Sequence, residues 1–154
     1  MRKHFIIYLL LLFPAWMSLC AQSGDEGNEK IKAQKVAFIT RSVNLTSKEA
    51  QVFWPVYNEY DQKRNNILSE RRNAFAYFNQ NEAKLSEKET DEIIATFVRL
   101  QKEESNLFDE YNAKFRKILP AKKVMKLYVA EVEFKNYLLK QIRDNRSQTG
   151  PSRQ

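Results

Sequence analysis

From Glu29 to Arg143 the apolar residues return every three or four positions, and no run alternates with the two-residue period of a strand. That pattern predicts an all-α chain of four helices. The first is expected over about Glu29 to Ser42, with Ile31, Val36, Phe38 and Ile39 as its apolar members, and Asn44 ends it. Thr46 and Glu49 have the spacing of a capping box, and Leu45 just before them is placed to staple the turn, so a second helix is expected over about 47–79. Pro55 lies inside that helix and predicts a kink near Val52, where a backbone bond is lost. Ser86 with Glu89 makes a second capping box and opens a third helix that runs to about Ile118. Pro120 breaks the chain after Leu119 and suits the start of a fourth helix, about Ala121 to Arg143.

At about 100° per residue, Phe53, Val56, Tyr57, Tyr60, Ile67, Leu68, Phe75 and Phe78 share one side of the second helix. Ile93, Phe97, Leu100, Phe108, Tyr111, Phe115 and Ile118 share one side of the third. Arg64 and Arg71 fall on the first stripe and Glu104 on the second. A hairpin turning near Glu82 brings Arg64 opposite Glu104. Two readings stay open: a half-buried ion pair that fixes hairpin register, or an aromatic and cationic trough that contacts foreign polypeptide. Arg71 has no acid at the matching position and is the better candidate for open surface. On the fourth helix Val124, Leu127, Phe134, Leu138 and Ile142 form a core stripe, while Met125, Tyr128, Val132 and Leu139 lie off it. The second face needs cover, either from a symmetric dimer or from another helix of the chain.

The N-terminus changes the compartment. Arg2, Lys3 and His4 precede the apolar run from Phe5 to Phe13, and small residues follow near Ala21, which is the pattern of a secretory signal over residues 1–21. The apolar stretch contains Pro14 and stops short of the roughly 20 residues of a membrane span, so no stable membrane insertion is expected. Leu19 precedes Cys20 where a lipoprotein signal places a small residue, so cleavage after Ala21 is favoured over acylation of Cys20. Residues 22–28 are read as a polar linker, 29–144 as the helical domain and 145–154 as a disordered tail.

Charge is uneven along the chain. Removing Arg2 and Lys3 lowers the formal charge from +7 to +5. Nine acids and four bases lie between Glu82 and Glu110, whereas Lys114, Arg116, Lys117, Lys122, Lys123 and Lys126 occupy Tyr111 to Ala130 with no acid. This block is either a contact surface for an acidic partner or a solvated helix end. Export and the acidic stretch argue against nucleic acid.

Chemistry is thinly supplied. The single histidine is His4 and the single cysteine is Cys20, so the processed chain builds no Ser-His or Cys-His pair and no Glu-x-x-His di-iron motif. Zinc and copper lack their usual ligands, and no glycine-rich loop is present to cradle phosphate. Glu103 with Glu104, or Glu131 with Glu133, are the remaining candidates for a hard cation, though adjacent helix acids are ordinarily solvated. No enzyme and no cofactor are expected.

The segment Asn44-Leu45-Thr46-Ser47-Lys48-Glu49-Ala50-Gln51, followed by Phe53-Trp54-Pro55-Val56-Tyr57, resembles the Leu-Thr-x-x-Gln signature of the Spy and CpxP periplasmic proteins. It is most similar to the branch labelled sensor of ECF-type sigma factor in Bacteroidetes, as is the block from Lys117 to Lys123 and on through Glu133-Phe134-Lys135. Glu49 stands where the signature has glutamine, and the second copy, at Leu119-Pro120-Ala121-Lys122-Lys123, keeps only the leucine. The resemblance implies a four-helix, cradle-shaped homodimer whose concave face binds unfolded chains without ATP. It casts Leu45, Thr46, Glu49, Leu119 and Pro120 as capping and motif residues. Client contact would then fall on Trp54, Tyr57, Arg71 and Phe75 with Lys114, Lys117, Lys122 and Lys123. The alternative role is a stress-signalling accessory that binds a sensor kinase or an anti-sigma factor. Heavy-metal sensing, which some relatives perform through histidines, is disfavoured.

Overall fold

A computed structural model describes residues 23–149, with side chains described over 27–147. Four helices make up almost all of it: α1 (Ser23–Val43), α2 (Ser47–Asn81), α3 (Glu87–Ile118) and α4 (Ala121–Thr149), with a single 3-10 turn at Glu82–Lys84. No strand occurs among the described residues. The all-α expectation holds, and the helix starts at Ser47 and Ala121 and the end at Ile118 fall where the capping boxes and Pro120 place them.

Two helices are longer than expected. The supposed linker lies in α1 from Ser23 onward, and α4 runs through the start of the supposed tail to Thr149. Extending a nucleated helix adds one backbone bond for each residue fixed, so polar flanks without a proline can continue the helix with nothing to bury, in α1 even through Gly24 and Gly27. Near the end of α4 the Ser147 hydroxyl donates back to the Arg143 and Asp144 carbonyls. The expected signal segment at residues 1–21 and the residues after Thr149 lie outside the described part.

The chain divides into two compact units, residues 1–37 and 38–154. In the first, the described part is the N-terminal stretch of α1, where Lys32 pairs with Glu29 at 2.7 Å on an exposed face. The second holds the core. Ile39 and Val43 of α1, Phe53, Tyr57 and Tyr60 of α2, Leu107, Tyr111 and Phe115 of α3, then Leu119 and Val124, Leu127 and Ala130 of α4 form one buried cluster. Ring pairs knit it together, with Phe53 5.7 Å from Phe115 and Tyr60 5.3 Å from Tyr111 between centroids. Full burial of each such side chain contributes about 1.5–3 kcal/mol.

Three tight junctions set the helix order. Asn44 has φ 55, and its N–H donates to the Arg41 carbonyl while that of Leu45 reaches Thr40, the double closure that ends a helix on a left-handed residue. Leu45 then leads straight into the Thr46 cap, and packs against the core. Both capping boxes are closed: Thr46 N–H to Glu49 Oε2 and Ser86 N–H to Glu89 Oε2 are each 2.8 Å. Leu119 ends α3 by donating its N–H to the Phe115 carbonyl at 2.8 Å, and the Pro120 carbonyl accepts from Lys123 and Val124 as α4 begins.

α2 and α3 pack as an antiparallel hairpin, because Phe53 meets Phe115, Tyr60 meets Tyr111, Arg64 meets Glu104 and Phe75 meets Phe97 in sequence along it. α2 continues through Pro55; Pro55 and Gln51, whose carbonyl loses its donor, both face solvent, where water can replace the bond. The α3 stripe needs one correction. Leu107 is buried, whereas Phe108 is 41% exposed and stacks on Tyr128 at 5.1 Å. Leu107 keeps the three- and four-residue spacing from Leu100 to Tyr111, and Phe108 sits about 100° off it.

Candidate functional site

Burial is concentrated at the end of the hairpin where α1 and α4 join it. Toward the turn, Leu100 is the remaining fully buried side chain, and Ile67, Leu68, Phe78, Ile93 and Phe97 are only half-buried. In this stretch Glu104 replaces hydrophobic packing. Its carboxylate accepts from Arg64 Nε at 3.4 Å and from Arg71 Nη1 at 2.8 Å, and Arg71 also donates to Gln101 Oε1 at 3.2 Å. The expected pairing of Arg64 with Glu104 is therefore present. The expectation that Arg71 stands open is corrected: Arg71 and Arg64 are seven residues apart on one face, and long guanidinium side chains converge on the carboxylate between them.

Past this junction the apolar side chains lose their cover. Phe75 stacks on Phe97 at 5.4 Å yet is 48% exposed, and Tyr77, Ile94 and Val98 are as open. Of these only Phe75 was singled out from the sequence. Ile94 and Val98 carry a legible signal, a pair of β-branched residues four apart and out of phase with the core stripe, whereas nothing in the local pattern distinguishes Tyr77.

The other expected contact residues are placed as follows. Tyr57 is in the core, and its hydroxyl donates to Glu131 Oε1 at 2.8 Å; burial first and the adjacent carboxylate second push its pKa well above the usual phenol value. This corrects its assignment to client contact, since the ring's neighbours on α2 and α3 enclose it. Trp54 is half-buried, set edge-on against both Phe53 and Tyr57. Lys123 is spent internally: its ammonium donates to the Asn44 carbonyl at 2.7 Å and to Glu49 at 2.6 Å. That bond, with the Thr46 N–H, holds the Glu49 carboxyl down at about 2. Lys114 pairs with Glu110 and lies 4.1 Å from the Tyr111 ring centroid. Beneath that cation the buried Tyr111 hydroxyl has no hydrogen-bond partner.

What remains of the basic block as open charge is Arg116, Lys117, Lys122 and Lys126, which flank the α3–α4 turn and make no ion pair among the described residues. Three of the four carboxylates considered for a cation are engaged by protein donors, Glu103 by Arg99, Glu104 by the two arginines and Glu131 by Tyr57, and Glu133 is exposed. No helix among the described residues is long and apolar enough to cross a membrane.

On α4 the core side is Val124, Leu127, Ala130 and Phe134, with Leu138 half-buried; Ile142, expected there, is exposed. Tyr128 is covered by its own chain, stacking on Phe108 and donating to Asn112 Oδ1 at 2.8 Å. Met125, Val129, Val132 and Leu139 are left uncovered on the opposite side.

No family model matches the chain, and no curated protein or solved structure does.

Proposed function

We propose that this protein is an ATP-independent periplasmic chaperone of the Spy and CpxP kind, exported by the segment at residues 1–21 and acting as a homodimer on unfolded envelope proteins. The observation that carries the reading is the open apolar patch of Phe75, Ile94 and Val98 beside the arginine junction. Such side chains on a rigid hairpin offer many weak, non-directional contacts, which suits clients that share no sequence. The exposed Arg72 at its edge adds charge without closing the patch. Nothing in this mode of binding requires a nucleotide.

The test is aggregation of a denatured client followed by light scattering, with the processed protein added and no nucleotide present. Scattering should fall in proportion to the protein added, and the Phe75→Ser, Ile94→Ser double variant should lose most of that protection. Unchanged scattering at several-fold excess overturns the proposal.

A second reading, a signalling accessory that binds a sensor kinase or an anti-sigma factor, is favoured by the open cations Arg116, Lys117, Lys122 and Lys126. It predicts capture of one acidic envelope regulator with salt-sensitive affinity, independent of misfolded protein.

A further inference from the structure

The uncovered side of α4 repeats with the period of a coiled-coil seam. Met125, Val129, Val132, Asn136, Leu139 and Arg143 follow one another at alternating steps of four and three residues, and all six are exposed. Met125, Val132 and Leu139 take the positions where such seams carry leucine, and Asn136 falls at the facing position where a lone asparagine fixes register. An open groove of about 450 Å³ lies beside Met125 and Val129, bounded also by Ser42, Lys122, Lys126 and Glu133.

The flanks decide what that helix is. Lys126, Lys135 and Lys140 border the seam, with Glu133 as the intervening acid, and the three lysines are exposed and make no ion pair among the described residues. A second copy pairing in parallel sets Lys135 against Lys140 and stacks Arg143 on itself. An antiparallel copy sets Lys126 against Lys140, and Glu133 and Lys135 each against its own counterpart. Both arrangements bring like charges together, so a homodimer formed elsewhere on the molecule leaves this face free. A lipid surface fits less well, because Asn136 and Arg143 lie within the apolar stripe and would have to be carried into the hydrocarbon boundary.

We infer that the outer face of α4 docks an amphipathic helix of another protein, one with its own apolar heptad seam and with Glu or Asp on both flanks. The surface is separate from the hairpin patch, and this inference does not rest on the chaperone reading.

The experiment uses the full processed chain and two fluorescent synthetic helices of about three heptads. Both carry leucine seams with one asparagine; one has Glu at every flanking position and the other Lys. Anisotropy should give saturable binding of the Glu helix that weakens as salt is raised, with the Lys helix weaker by at least about tenfold. Val132→Asp, at an exposed site, should lose the Glu helix while leaving the circular dichroism spectrum and client protection unchanged. Asn136→Leu should tighten binding of a third helix, the Glu helix with its asparagine replaced by leucine. Equal binding of both helices, or of neither, overturns the inference. So does a loss of self-association, or of binding to phosphatidylglycerol vesicles, as the only effect of Val132→Asp.

Discussion

Glu49 and Lys123 stand 74 residues apart in the chain, and their side chains meet at 2.6 Å. The same carboxylate oxygen accepts the Thr46 N–H at 2.8 Å, so one group closes the cap of α2 and ties it to the first turn of α4. Lys123 completes the junction by reaching the Asn44 carbonyl, in the turn that ends α1. Three helices are thus joined at Glu49, and a neutral amide there could not hold the lysine by charge.

This junction gives the molecule an acid-sensitive contact. Glu49 titrates at about 2 in the folded chain against an ordinary 4.5, first because Lys123 bonds it and then because of the Thr46 backbone. A depressed folded-state pKa stabilises above the unfolded value and that contribution is lost as pH falls through the folded one. Thermal melts followed by circular dichroism should therefore show the wild type and Glu49→Gln diverging most above about pH 4.5 and converging toward about pH 2. A constant gap across that range would contradict the assignment.

Tyr57 and Glu131 make the long-range hydrogen bond of the core edge. Tyr57→Phe keeps the ring packing and strands a half-buried carboxylate, and should lower stability by about 1–3 kcal/mol in urea titrations. An unchanged midpoint would mean that water satisfies Glu131.

The Glu104 junction is expected to act as a unit. Glu104→Leu leaves Arg64 and Arg71 facing each other, and with these side chains 20–36% exposed the cost should be about 1–3 kcal/mol, below that of a fully buried pair. In a double-mutant cycle Arg71→Leu and Glu104→Leu should couple by at least about 0.5 kcal/mol. Additive effects would remove the register role given to this contact.

Stability and client binding should separate along the hairpin. Leu100→Ala, at a fully buried position, is expected to cost about 2–5 kcal/mol. Phe75→Ser, half-exposed, should cost roughly 1 kcal/mol or less and still reduce protection of an aggregating client. The paired readout is a urea midpoint and a light-scattering yield for each variant. A Phe75 variant as unstable as the Leu100 one would show that the ring is structural.

Much of this architecture is legible locally. Thr46 with Glu49, Ser86 with Glu89, Asn44 and Pro120 mark the helix boundaries through bonds that span five residues or fewer, so the boundaries follow from the chain without a partner. The aromatic stripe of α2 and its match on α3 follow from helical phase, and so does the meeting of Arg64 with Glu104. Phase failed where neighbouring apolar residues compete for one direction, as Leu107 and Phe108 do, because a turn of 3.6 residues leaves both near the interface.

The candidate surface was less legible, for a different reason. Tyr57, Phe75, Lys122 and Lys123 look alike in composition to residues that bind clients, but exposure is a property of what packs over them. The sequence alone determined an all-α chain with its caps, its stripes and its scarcity of catalytic side chains, since those depend on local bonding and residue chemistry. Only the tertiary structure decided that Tyr57 is enclosed, that Lys123 and Arg71 are committed to carboxylates, and that Phe75, Ile94 and the outer side of α4 remain open. Those outcomes depend on contacts between helices far apart in the chain, where the path of each backbone and the reach of each side chain select one neighbour among several of similar chemistry.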